Sequence, residues 1–380
     1  VRSRRVILAF YYTATLIIAL YASYTIFSKS YSLTLAYGDT YISDEIYYVD
    51  TSRRILENIF GVSIQYYNYS GKTNSDYYNL EHPPLGKYII GFNMVVCGDR
   101  PVCWRLPGVI EASLMPIILY VAYATLGSTL APLAGAIAAL TLASDPILYR
   151  VSSIAILDIH LAFFTCISIA LAVRSRFISS ITVASLALAV KISGVGTLIG
   201  ALMNLYRLDS IRSRLNHIIV ATLIAILVAL ALHAPLIEYF GAKKIIDETL
   251  NAIRWHTTSR PPDGPPSSSP SGWILNVAPF IFTFNPVPVY AEVNTLIHVI
   301  ALAFSLYILV LGLFGGLRDY TLSAPLFYAG IMLAYWAVFI AGNRTLYSFY
   351  AVQLAPAAAG TMAEILLLAW NGRGLVGEKS

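Results

Sequence analysis

The sequence predicts an all-α polytopic membrane protein of about ten transmembrane helices with a partly helical first external loop. Three observations carry this. Of 380 residues, 57% are hydrophobic and 12% charged, and mean hydropathy is +0.68, a balance that no soluble domain of this length needs. The apolar residues gather in runs of near membrane-spanning length. Arginine and lysine fall beside alternate runs, the pattern of cytoplasmic loops. The 27 tyrosines and 16 phenylalanines suit aromatic belts at the two interfaces. The net charge of +5 is modest and reads through arginine placement, so no nucleic-acid partner is expected.

Taken in order, the first span is expected over 6–27. Its Arg-rich start resembles a secretory signal, but the run is about 22 residues long and lacks a small-residue cleavage site, so it reads as an anchor that stays. Further spans follow at 106–127, 129–148, 154–173, 177–190, 192–206, 217–237, 296–316, 322–341 and 349–370. Charge decides the short pair at 177–206. Two spans there place Arg2, Arg4 and Arg5, Arg174 and Arg176, Arg207, Arg212 and Arg214, Arg318, Arg373 and Lys379 on one side. One long span would throw the Arg207–Arg214 cluster across the membrane. The expectation is a single transmembrane domain over 1–380, multi-pass, with both termini cytoplasmic.

Two long segments then face the other side. Residues 28–105 are rich in tyrosine and acids; residues 238–295 contain "SRPPDGPPSSSPSGW", a Pro/Ser-rich loop without periodicity. The function belongs on that external face. Cys97 and Cys103 flank a Gly/Pro turn there. They are either a disulfide, which an oxidising compartment permits, or two separate thiols. Cys166 lies within a span as an inert core residue.

Ionisable groups at span ends are functional candidates. On the external side these are Asp44, Glu45 and Asp50; Glu81, His82 and Lys87 around two prolines; Arg105; Asp145 and Arg150; Asp158 and His160; and Arg344. Plain structural readings stand beside them. Asp44–Glu45 can be a solvated loop tip, Asp158 a favourable anion at a helix N-terminus, and Lys87 and Arg105 cations snorkelling to lipid phosphates. Glu111 and Glu364 lie inside spans with no evident partner, and His233 and His298 read as satisfied helix-end histidines. As a set, external carboxylates provide a general base and cations at the lipid boundary hold an anionic leaving group. That suits group transfer from a lipid phosphate. A channel or solute transporter would spread charge through the spans and show an internal repeat; neither is present in the sequence.

These motifs resemble those of GT-C membrane glycosyltransferases, and specifically of the dolichyl-phosphate-mannose protein O-mannosyltransferase family. An Asp-Glu pair stands in the first external loop as Asp44–Glu45, and His-Pro-Pro-Leu-Gly-Lys is intact from His82 to Lys87. "RLPGVIEASLMPIILYVAY" is similar to the family's Arg-Leu-Pro opening of a span, and "SSIAILDIHLAFF" to its Leu-Asp-x-x-Leu-x-Phe-Phe stretch. "LALAVKISGV" resembles its Ala-x-Lys-x-(Ser/Thr)-Gly turn, "WHTTS…SSSPSGW" its His-Thr and Ser-x-x-Trp loop, and "NRTLYSFYAVQLAP" its ending. The departures are the short chain, Glu at 111, and no second tryptophan in the Ser-x-x-Trp loop.

The resemblance implies a glycosyltransferase with an external active site. A polyprenyl or dolichyl monophosphate sugar, mannose by family default, would be the donor. Its tail would lie among membrane lipids, and the acceptor would be a protein or lipid hydroxyl. Asp44 would be the base of an inverting single displacement, with Glu45 and Asp158 positioning it. Lys87, Arg105 and Arg344 would neutralise the donor phosphate, and His82, His256 and Trp273 would contact sugar or acceptor. The Pro-Pro elbow would hold Lys87 at the interface. The scheme needs no cofactor. Asp44 and Asp158 could hold a divalent cation, though no His/Cys spacing argues for one. The alternative within this chemistry is a lipid- or glycan-directed enzyme, aminoarabinose-transferase-like. Oligosaccharyl transfer to Asn is disfavoured by the missing soluble domain.

Overall fold

The computed structural model describes residues 2–64, 76–258, 264–285, 287–314 and 322–371. Arg318, Arg373 and Lys379, and the side chains of Arg2, Arg4 and Arg5, lie outside what is described. The fold is all-α, with one two-stranded hairpin. It opens with α1 (Arg2–Ala36), α2 (Glu45–Arg54, continued by a π turn over Ile55–Ile59), α3 (Leu85–Cys97) and α4 (Pro101–Ala124). Next come α5 (Ala131–Ala143), α6 (Pro146–Ser152), α7 (Leu157–Val173), α8 (Phe177–Val190), α9 (Val195–Met203), α10 (Ile211–Phe240), α11 (Ala242–Thr257) and α12 (Pro270–Ile274). Antiparallel β1 (Ile281–Thr283) and β2 (Val289–Tyr290) precede α13 (Thr295–Leu313), α14 (Ala324–Ile340) and α15 (Ala355–Asn371), the last entered through a 3₁₀ stretch over Ser348–Leu354.

Each of the ten expected apolar runs carries helix, but among the described residues five helices alone are long and apolar enough to cross a bilayer, six if the bent pair α5–α6 counts as one span. At 1.5 Å per residue α7, α8 and α14 fall short of the ~30 Å hydrocarbon core. α1 runs past its apolar stretch to Ala36. Its polar end packs on α6, where Ser30 Oγ meets Ser152 Oγ at 2.6 Å and Thr34 donates to Ser153 O at 3.0 Å.

The short pair at 177–206 is a hairpin. The chain reverses through Lys191–Gly194, and a Cβ at Gly194 would lie 2.4 Å from Leu188 N, so only glycine fits the turn. On the way back α9 packs backbone to backbone on α14: a Cβ at Gly200 would meet Phe327 Cα at 2.5 Å, and one at Gly330 would meet Gly200 N at 2.6 Å. Small residues allow such close helix approach inside a membrane. Within α4, Pro107 has no N–H for Cys103 O, and the Asn93 side-chain amide donates there instead.

The helix ends sort into two sets. At one end Arg207 donates to Ala172 O and Ser175 Oγ, Arg174 donates to Thr125 O, and Tyr120 OH donates to Tyr12 O. At the other, Asp145 accepts from Asn294 N, Arg150 donates to Tyr290 O and Glu292, and Lys191 meets Asp158. The Arg174–Arg214 cluster thus occupies one end and the candidate site the other. α8 starts beside α10, with the Phe177 and His217 rings 6.5 Å apart, yet ends at Val190 while α10 runs on to Phe240. The tip of the α8–α9 hairpin is therefore recessed below the end of α10.

Candidate functional site

α2 begins where Ile42–Asp44 turn sharply. Ser43 sits at φ 53°, a left-handed conformation that costs a non-glycine residue energy. The turn separates two adjacent acids. Glu45 points inward: Arg105 Nε and Nη2 reach its two oxygens at 2.7 and 2.8 Å, Ile42 N–H donates at 2.8 Å and Ala155 N–H at 2.7 Å. Both side chains are wholly buried. Arg105 also donates to the carbonyls of Thr34, Gly38 and Thr40. All its N–H groups are thereby used, so in this geometry Arg105 has nothing left for a lipid phosphate. Instead the pair ties the Ile42–Asp44 turn to the extended segment leading into α7, where Ala155 lies three residues ahead of Asp158.

Asp44 faces the other way. It is half-buried, and no described residue hydrogen-bonds its carboxylate. Burial and the nearby Asp158 charge raise its pKa to about 6, against the opposing pull of Lys191. Asp158, in the first turn of α7, is buried and held at both oxygens by Lys191 Nζ, at 2.9 and 3.0 Å. Lys191 sits at the reversal between α8 and α9 in extended conformation, its ammonium 4.3 Å from the centre of the Tyr350 ring. Sequence reasoning gave Lys191 no role. The signal was present, as a lone cation between two apolar runs.

A cavity of about 130 Å³ opens beside Lys191. His82, Ser193, His256, Tyr335 and Tyr350 supply its polar groups; Val195, Ile253, Ala334 and Val338 supply apolar wall. His82 is held neutral: burial and the positive charges of Lys191, Lys87 and His256 push its pKa well down. Its Nδ1 is buried without a partner among the described residues. Trp273 is fully buried and does not line this cavity. Its indole donates to Ser268 O and packs edge-on against Tyr335 and Tyr350, 4.9 and 5.9 Å between centroids, so it supports those rings from behind.

Lys87, expected beside the donor phosphate, has its ammonium turned to the backbone. It is buried, and Nζ donates to the carbonyls of Asn79 and His82. The lysine therefore clasps the Pro-Pro elbow from inside and fixes His82, and burial lowers its pKa to about 7. Arg344 is exposed, its guanidinium 4.0 Å over Phe339. His256 stands 3.4 Å from Asn343.

Among the described residues no group of three or more His, Cys, Asp and Glu is placed to hold a metal ion, and Lys191 already covers both oxygens of Asp158. The two embedded glutamates have partners after all. Glu111 meets His160 at 2.6 Å; Glu364 accepts from Tyr123 OH and from the N–H groups of Ser323 and Ala324 that open α14. Cys97 and Cys103 form a disulfide, and between them Asp99 receives Arg53 at 2.6 and 2.9 Å and Trp104 at 2.7 Å. A larger cavity of about 700 Å³ adjoins that turn and contains no member of the Asp44 set.

Residues 81–239 match the family model described as dolichyl-phosphate-mannose-protein mannosyltransferase. No curated protein matches the chain in sequence. In fold, the chain is similar to ArnT from Cupriavidus metallidurans bound to undecaprenyl phosphate, with TM-score 0.57 and 15% identity over 93% of this chain and 59% of that one. It is also similar to the Archaeoglobus fulgidus oligosaccharyltransferase in the apo form, with TM-score 0.52 and 15% identity over 97% of this chain and 53% of that one. The chain thus spans a little over half the length of the solved structures it resembles. Its fold is that of these two membrane proteins.

Proposed function

We propose that this protein moves a sugar from a polyprenyl monophosphate donor to a hydroxyl acceptor at the end of the bundle that carries Asp44. The observation that carries the reading is the contrast between two neighbouring acids. Glu45 has every oxygen engaged, while Asp44 is unbonded among the described residues, its pKa raised towards neutrality, beside a lysine that lines a largely apolar cavity. A base needs a free, ionised carboxylate with a pKa near the working pH. A lipid phosphate leaving group needs a cation beside an apolar path.

In this scheme Asp44 takes the acceptor proton as the oxygen attacks the anomeric carbon, with inversion. The bond to the lipid phosphate breaks, and the phosphate leaves as an anion that needs no acid. Lys191, with the N–H not spent on Asp158, and Arg344 neutralise it. Asp158 keeps Lys191 aimed at the cavity, and the Glu45–Arg105 pair fixes Asp44 relative to Asp158. His82, braced by Lys87, and His256 contact sugar or acceptor. The family model over 81–239 supports mannose as the sugar and protein Ser/Thr as the acceptor. The Arg174–Arg214 cluster at the opposite end supports cytoplasmic termini and an external site.

The test is transfer of labelled mannose from dolichyl-phosphate mannose by the purified protein, to Ser/Thr peptides and separately to membrane lipids. Labelled peptide is the expected product. Labelled lipid alone would reassign the acceptor and keep the donor chemistry. No product in either arm would overturn the donor assignment.

A further inference from the structure

The proposed reaction uses only the last turn of α11, yet the whole helix has an unusual surface. Its sequence is AKKIIDETLNAIRWHT. Ile245 and Ala252 are buried, and Ile245 packs with Ile55, Tyr78 and Leu236. Ile246, Leu250 and Ile253 follow at i, i+4 and i+7, on one adjoining face, and are 57%, 44% and 44% exposed. Lys243, Lys244, Asp247, Glu248, Asn251 and Arg254, with the 60% exposed Trp255 among them, occupy the remaining surface, and Lys244 and Glu248 are 2.7 Å apart. The apolar sector is therefore about twice as wide as the protein covers.

We propose that α11 lies in the membrane interface, along the bilayer surface, with Ile246, Leu250 and Ile253 among the lipid chains. Continuity with α10 identifies the occupant. α10 is a 30-residue span whose apolar window is almost entirely uncovered by protein. At ~45 Å it exceeds the hydrocarbon core. Only Gly241, at φ +81°, separates it from α11, so the exposed stripe begins within a turn and a half of a span that the protein leaves almost wholly uncovered. α11 is too charged to span, and its mixed-sign polar face suits the headgroup layer.

The consequence lies at the C-terminal end, where Ile253, His256 and Thr257 form part of the cavity wall around Lys191. The cavity then has a membrane-embedded sill, over which an amphiphile with an anionic head reaches Lys191 without leaving the bilayer. The placement of α11 stands independently of the transfer reaction; the sill rests on it.

Single cysteines through 243–254 of the full chain, nitroxide-labelled in nanodiscs, test the placement; Cys166 is buried and Cys97–Cys103 are paired. Oxygen accessibility should peak at 246, 250 and 253, and that of a water-soluble nickel chelate at 244, 247, 248 and 251, the two profiles out of phase. Chelate access at 246, 250 and 253 would overturn the proposal. So would exclusion of both reagents there, which would mean a protein partner or, with dipolar broadening between labels, a second copy. For the sill, Ile246→Ser/Leu250→Ser should raise KM for a long-chain donor several-fold and leave kcat and a short-chain donor's KM unchanged. Unchanged KM for both donors would sink the sill. A chain that transfers no sugar at all would fail the proposed function while leaving the accessibility result to stand.

Discussion

Glu45→Gln and Asp44→Asn make the same chemical change at adjacent positions, and the two are expected to fail differently. Glu45 accepts four hydrogen bonds from Arg105, Ile42 and Ala155, all at 2.7–2.8 Å and wholly out of solvent. A glutamine keeps one acceptor oxygen and turns the other position into an N–H₂ group. Whichever way the amide is flipped, it faces two donors: Arg105 Nε with Ala155 N, or Arg105 Nη2 with Ile42 N. The guanidinium also loses its counter-charge. Breaking a buried pair from one side costs about 3–5 kcal/mol, so the unfolding midpoint in detergent should fall by many degrees. At Asp44 no described residue donates to the carboxylate, and burial disfavours its charge. Asparagine there should leave the midpoint at pH 7 unchanged or higher while transfer is lost. Thermal unfolding of both variants, followed by tryptophan fluorescence, decides. The reasoning is refuted if Asp44→Asn destabilises as much as Glu45→Gln, or if Glu45→Gln leaves the midpoint where it was.

Because the base acts deprotonated and its pKa is raised to about 6, transfer should be present above that value and fall as pH drops through it, about tenfold by pH 5. An ordinary aspartate would still be ionised there. In pH–rate profiles Asp158→Asn should move this limb to lower pH and Lys191→Met to higher pH, since the first group raises and the second lowers the Asp44 pKa. Lys87→Met leaves the Asn79 and His82 carbonyls without their donor, at about 1–3 kcal/mol each; donor KM should rise as the elbow loosens. Arg344→Ala should raise donor KM with no change in midpoint, because the side chain is exposed. Cys97→Ser/Cys103→Ser should lower stability by about 2 kcal/mol, as expected for opening so short a loop, measurable against the oxidised protein by denaturant unfolding.

The apolar runs and the arginine asymmetry made the bundle legible, since lipid admits few alternatives to helix. The recess of the site was not legible. It depends on where α8 stops relative to α10, a packing distance that hydropathy does not encode. Asp44 and Asp158 stood out as candidates because acids at span ends are costly and rare. Arg105 and Lys87 were assigned to the donor phosphate for the same reason: composition shows that a cation is near an interface, not whether its N–H groups are engaged by backbone carbonyls. Trp273 was expected to contact sugar or acceptor because it ends a loop motif; it is fully buried, edge-on behind the stacked Tyr335 and Tyr350 rings. Lys191 was visible and unassigned, because its partner lies 33 residues away and only the α8–α9 hairpin brings them together. Glu111 and Glu364 likewise have partners 49 or more and 40 or more residues distant.

The account turns on Asp44 acting in the chemical step. Mannose transfer from dolichyl-phosphate mannose should be measured for the wild type and Asp44→Asn at saturating donor and at pH 7. A variant with unchanged midpoint and kcat lower by roughly 10²–10⁴-fold is the predicted result. A variant that folds and transfers at the wild-type rate would contradict the account and remove Asp44 from the reaction.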